Sequence, residues 1–171
     1  GAQLIHHGVE LGGPVRGVHE GDELERLQQR YDDWDLRILE RFDRLAKKYG
    51  MLHLLKRGLA IDDVHLHLMY PAPLASSSEK VRHNFAANIF SSTRQVRYSL
   101  SNTLEEIDMV LFINGLPFAT LELKNPWTGQ TARYHGQKQY RQDRDSSQPL
   151  LHLLQQGGVL RQHLIAVPLV Q

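Results

Sequence analysis

Cysteine is absent from the 171-residue chain, which removes disulfides, thiolate catalysis and Cys-based zinc or iron–sulfur sites together and fits a reducing compartment. Also missing is any run near the roughly 20 apolar residues that a membrane span needs. The opening residues, GAQLIHHGVELGG, show no basic segment followed by a continuous apolar one, so no signal peptide is expected and the chain reads as soluble and cytoplasmic. Charge of one sign is lacking too. Twenty Lys+Arg stand against 19 Asp+Glu, a net of +1, so a nucleic-acid partner must be met by a local basic surface. No G-x-x-x-x-G-K-[ST] occurs, which excludes an ATP-binding loop of that type from these residues. Histidine is plentiful at 10 residues, yet His6-His7 and His65-His67 have no third ligand at a recognisable spacing and read as ordinary surface or satisfied side chains. There is no repeat and no low-complexity tract.

With 41% of its residues hydrophobic, a chain of this length supports one domain, burying roughly two-thirds of its unfolded surface. Residues 1–21 are glycine-rich and aperiodic and are expected to be poorly structured or connecting. Leu24, Leu27, Tyr31, Trp34, Ile38, Phe42, Leu45 and Tyr49 then recur every three or four residues, one stripe on a helical surface. Gly50 suits its C-cap. Whether this is one helix or two broken near Asp32-Asp33 stays open, because Asp is a good N-cap and a weak interior residue. DVHLHLMYPAP alternates like a strand ended by Pro71 and Pro73, LASSSEKVRH reads as loop, and NIFSSTRQVRYSL as another strand. TGQTARYHGQKQYRQDRD suits a helix after Thr128, and LIAVPLV a short buried strand. The order of helix, strands, helix and strand predicts an α/β fold, a mixed sheet flanked by helices.

The informative stretch is EIDMVLFINGLPFATLELKNP, residues 106–126. Asn114-Gly115 between two apolar runs is a strong hairpin signal. Side chains alternate along a strand, so Glu122 and Lys124 share one face. The register decides whether Asp108 joins them. A two-residue loop pairs Ile113 with Leu116 and puts Asp108 opposite Leu121, on the wrong face. A three-residue loop pairs Phe112 with Leu116, puts Asp108 opposite Thr120 and brings the three together. A functional site therefore requires an odd loop or a bulge. Converging carboxylates repel unless a cation sits between them, and an oxygen-rich site of this kind suits Mg²⁺ or Mn²⁺. Such a metal polarises a phosphodiester and lowers the pKa of bound water, with Lys124 orienting that water or neutralising transition-state charge. An edge hairpin with a Glu–Lys solvent face is the plainer reading of the same pattern.

The wider context resembles the PD-(D/E)xK nuclease domain at the N-terminus of the motor (restriction) subunit of type I restriction–modification enzymes. The segments FSSTRQVRYS, IDMVLFINGLPFATLELKNPWTGQT and QYRQDRD carry the resemblance in that order, preceded by LLKRGLAIDDVHLHLMYPAP, over roughly residues 50–150. It implies a restriction-endonuclease-like fold, with 22–171 as the nuclease domain and 1–21 as a poorly structured or incomplete N-terminal segment. It further implies that Asp108 and Glu122 are metal-binding carboxylates and Lys124 the catalytic lysine. The family's glutamine and tyrosine, written QxxxY, fall on Gln137 and Tyr140, although these are three rather than four apart. On a helix, Arg133, Gln137, Tyr140 and Arg144 recur at four, three and four and share one face. Arg94, with Gln95 and Arg97 beside it, is a candidate phosphate contact. For the family's acidic residue on its first helix, Glu10, Glu20 and Glu23 are the candidates.

The resemblance implies a Mg²⁺-dependent endonuclease acting on double-stranded DNA in a prokaryotic cytoplasm, with Mn²⁺ as a substitute ion. Its implied partners are the specificity and methyltransferase subunits, and ATP is needed only by a motor expected downstream of this fragment. Two other readings are a nuclease-like scaffold for DNA or subunit docking without catalysis, and a same-fold nuclease of repair or recombination.

Overall fold

The computed structural model describes residues 21–101, 104–122 and 147–155, together with Tyr134, Lys138, Arg144 and Asp145. The amphipathic stripe is broken into α1 (Gly21–Arg30) and α2 (Trp34–Tyr49). Tyr31, Asp32 and Asp33 form the break. The backbone carbonyl of Asp33 accepts from Arg37 N at 3.0 Å, and its carboxylate accepts from Arg37 Nε at 2.7 Å. Both helices lay the predicted stripe on a small hairpin, β1 (Leu59–Ile61) and β2 (Val64–Leu66), which pair antiparallel. Leu27, Leu59, Ile61, Val64 and Leu66 make the buried centre, with Tyr31, Trp34, Ile38, Phe42 and Leu45 packed around it.

Gly50 does end α2, in a left-handed conformation with φ 79° and its N–H bonded to Ala46 O. A further helix, α3 (Met51–Arg57), begins directly after it. Gly58 then makes the turn into β1 at φ 70°, where a Cβ would stand 2.5 Å from Leu66 O and 2.7 Å from His65 Cε1. Only glycine fits there.

Two expectations are corrected. The strand expected through DVHLHLMYPAP is only three residues, because Asp62-Asp63 turns the chain back on Leu59–Ile61 and Asp62 adopts φ 51°. LASSSEKVRH, read as loop, ends in the first residues of a helix, α4 (Glu79–Ala86). Ser78 caps it, accepting from Val81 N, and Glu79 adds charge suited to the positive helix end.

The second sheet has the order β3-β4-β5, antiparallel throughout: β3 (Phe90–Arg97), β4 (Glu106–Ile113) and β5 (Leu116–Leu121). Tyr98, Ile107 and Val110 pack with Leu151 of α5 (Pro149–Gln155), while Ile113 packs with Met51 and Leu55 of α3. Helices thus flank antiparallel sheets in an α/β fold. The sequence between Thr128 and Asp143, read as a helix, and the strand LIAVPLV lie outside the described residues, apart from Tyr134 and Lys138.

Candidate active site

The β4–β5 turn is the two-residue loop, with Asn114 at φ 51° and Gly115 at φ 80°. These are the paired positive values that match a hairpin's twist. Ile113 therefore opposes Leu116 and Phe112 opposes Pro117, but Leu111 then opposes Ala119. Phe118 is an extra residue, a β-bulge. Pro117 supplies a cause, since it has no N–H for the ladder and strand prolines gather at edges and bulges. Past the bulge Val110 opposes Thr120 and Met109 opposes Leu121. Continued by one residue, this register sets Asp108 opposite Glu122. Directly opposed residues share a face with Cβ atoms about 4.5–5.5 Å apart. The bulge thus meets the requirement that the sequence imposed, and does so without lengthening the turn.

Asn114 fixes this turn to the rest of the fold. Its Oδ1 accepts from Ile89 N at 2.7 Å, and its Nδ2 donates to Leu68 O at 2.9 Å and Asn88 Oδ1 at 3.1 Å. Asn88 in turn brackets Tyr70, accepting from its N–H at 3.0 Å and donating to its carbonyl at 2.8 Å.

On the other side of β4, Arg94 opposes Met109 and Val96 opposes Ile107, which leaves Gln95 opposite Asp108. Arg94 is therefore one residue from Asp108 in register and, by strand alternation, on the other face. Gln95 has φ 53°, an unusual value for a strand residue. Of the two neighbouring residues, Gln95 and not Arg94 is aligned with the carboxylate.

Glu122 is 2% exposed. Its Oε1 accepts a charged hydrogen bond from Arg144 Nη2, in an ion pair whose side chains are both nearly excluded from solvent. The same Nη2 donates to Glu106 O at 2.8 Å, and the guanidinium lies 5.0 Å from the centroid of the Tyr98 ring. Tyr98 is fully buried and donates to Glu105 Oε2 at 2.5 Å. Burial, followed by that bond to Glu105, raises the Tyr98 hydroxyl above its ordinary pKa.

Arg144 was grouped by helical spacing with Gln137 and Tyr140, but its pairing with Glu122 is a tertiary contact that spacing does not announce. Lys124, Gln137 and Tyr140 lie outside the described residues, as do Glu10 and Glu20; Glu23 is in the first turn of α1.

Among the described residues no three His, Asp or Glu side chains cluster as a metal site. The Asp108–Glu122 pair still fits Mg²⁺ in kind: its donors are all oxygen, and Mg²⁺ is commonly held by one or two carboxylates while keeping several waters. No helix among the described residues is long and apolar enough to cross a membrane. Residues 19–165 match the family described as "Type I restriction enzyme R protein N terminus". No curated protein and no solved structure matches the chain.

Proposed function

Because the chain belongs to the family of type I restriction enzyme R protein N-termini, we propose that it is the Mg²⁺-dependent endonuclease domain of such a subunit. It hydrolyses phosphodiester bonds of duplex DNA after a downstream, ATP-driven motor has translocated it. The observation that carries this reading is the bulge at Phe118, past which Met109 opposes Leu121, so that the same register carried on by one residue aligns Asp108 with Glu122. A structural hairpin has no need of that pairing, since it sets two carboxylates against each other.

In this reading Asp108 and Glu122 hold the ion, for which Mn²⁺ substitutes. When bound, the ion supplies Lewis-acid polarisation of the phosphate and a more acidic water. Lys124, two residues beyond Glu122 in the sequence, orients the attacking water or balances charge on the scissile phosphate. Gln137 and Tyr140 position the DNA backbone; Arg94, on the other face of β3, is left out of the site. The domain has no part in choosing the sequence; specificity and methyltransferase subunits read and mark the target.

A catalytically silent scaffold is the second reading, favoured by the Arg144–Glu122 ion pair, which engages one carboxylate oxygen with a protein cation. Calorimetric titration of Mn²⁺ into wild type, Asp108→Ala and Glu122→Ala, with plasmid nicking on the same samples, separates the two. The nuclease reading expects binding and nicking in wild type and neither in the alanine variants. Lys124→Ala is expected to keep the metal and lose about 10²–10³-fold in nicking rate. Wild type that takes up no Mn²⁺ leaves the scaffold standing.

A further inference from the structure

We propose that Arg144 is a positioning residue, whose task is to hold the Glu122 carboxylate toward Asp108. The inference rests on the reading of Glu122 as a metal ligand. Its observations are the depth of the ion pair and the number of elements that fix the guanidinium. One nitrogen, Nη2, ties Glu122 Oε1 to Glu106 O of β4, two residues before Asp108. Glu122 is thereby secured to the strand that carries the other carboxylate. Beneath the guanidinium is the ring of Tyr98, itself held through its hydroxyl to Glu105.

The chain just after Arg144 is held by side-chain bonds. Asp145 accepts from Ser147 N at 2.9 Å and from Gln148 Nε2 at 2.9 Å. Gln148 Oε1 in turn accepts from Leu100 N at 2.9 Å, in the loop between β3 and β4. Arg144 thus precedes a segment tied to the β3–β4 loop, and its side chain bonds Glu122.

Stability alone is a poor reason for such a pair. Desolvating two charges offsets much of their attraction, and apolar residues of similar volume often replace a buried pair at no loss. Orientation is a better reason. Partners that orient a metal ligand from behind usually matter about 10–100-fold in metal affinity or activity. Arg144 also cannot be exchanged for Lys without cost, because an ammonium keeps the charge but not the delocalised guanidinium that lies over the Tyr98 ring.

The test is Mn²⁺ affinity by calorimetry, with folding checked by circular dichroism and thermal melting. Wild type, Glu122→Ala, Arg144→Lys and Leu151→Ala are compared. Leu151 is in the same buried cluster as Tyr98, so its truncation loosens that core while leaving the Arg144–Glu122 charges in place. Arg144→Lys is expected to bind Mn²⁺ about 10–100-fold more weakly, whereas Leu151→Ala melts earlier with its affinity unchanged. Wild-type affinity in folded Arg144→Lys overturns the proposal, as does an equal loss in Leu151→Ala.

Should Arg144→Lys fail to fold, Tyr98→Leu takes its place, removing the ring beneath the guanidinium while keeping both charges. Weaker Mn²⁺ binding there supports the proposal, and unchanged affinity overturns it. Failure of the underlying reading has a different signature: wild type binds no Mn²⁺, or Glu122→Ala binds as well as wild type, and the positioning role falls with it.

Discussion

At the scale of single residues, Tyr98 places a hydroxyl in a core otherwise lined by Ile107, Val110 and Leu151. Burial disfavours its phenolate, and the bond to Glu105 disfavours it further. The folded pKa is therefore raised above the ordinary tyrosine value. Stability from the neutral hydroxyl is present in full below the unfolded value and is lost as pH rises through the folded one. Tyr98→Phe is expected to cost about 1–3 kcal/mol at neutral pH through the lost bond to a carboxylate. It should also flatten the alkaline fall in stability, which melts taken between about pH 8 and 11 measure directly. Asp108 and Glu122 were conspicuous in the sequence as charges within apolar runs. Arg144 was not: an arginine in a polar stretch looks solvated, and only the fold reveals that its side chain is 4% exposed.

Among the elements, β5 depends on one irregularity. A bulge sets two residues against one, so deleting its extra residue restores a regular ladder without changing which partners lie beyond it. Deletion of Phe118 is therefore expected to keep Met109 opposite Leu121, as cross-strand NMR contacts would report. It should also lower the melting temperature, because Phe118 packs against the Met51, Leu55 and Ile113 cluster. Loss of the Met109–Leu121 contacts would show that the bulge does more than absorb one residue. The sequence demanded an odd loop or a bulge without choosing between them, and Pro117 was the available clue. Elements of three residues such as β1 are too brief for periodicity to register. Helix α4 was masked by its own serines: Ser78, which looks like loop, is the cap that starts it.

For the whole molecule, the described residues bury their hydrophobic side chains in separate clusters, one under α1 and α2 and others against the second sheet. Phe42 packs against both the β1–β2 cluster and the Met51, Leu55 and Ile113 cluster. Its partial burial lowers the usual cost of truncation, so Phe42→Ala is expected to destabilise by about 2–3 kcal/mol. Urea unfolding should remain a single transition with its midpoint lowered and its slope unchanged; two separated transitions would mean that the hairpin layer and the second sheet unfold independently. The α/β class was readable from the order of elements, and the α1–α2 stripe from its spacing. The partition into clusters was not, because no local pattern tells a helix which of two sheets it will cover.

The Asn114-Gly115 turn has one more consequence, on the timescale of chemical ageing. An Asn-Gly pair loses ammonia when the glycine nitrogen closes on the asparagine side chain, a reaction that needs the side chain to swing freely. Here the amide is held by Ile89, Leu68 and Asn88 at once, so the folded protein shields its own most perishable bond. Unfolding removes that shield. An aspartate formed at position 114 would then present oxygen, in place of an amide N–H, to the Leu68 carbonyl and the Asn88 side-chain oxygen. Each excursion from the fold thus exposes the turn to a lesion that the refolded chain carries onward.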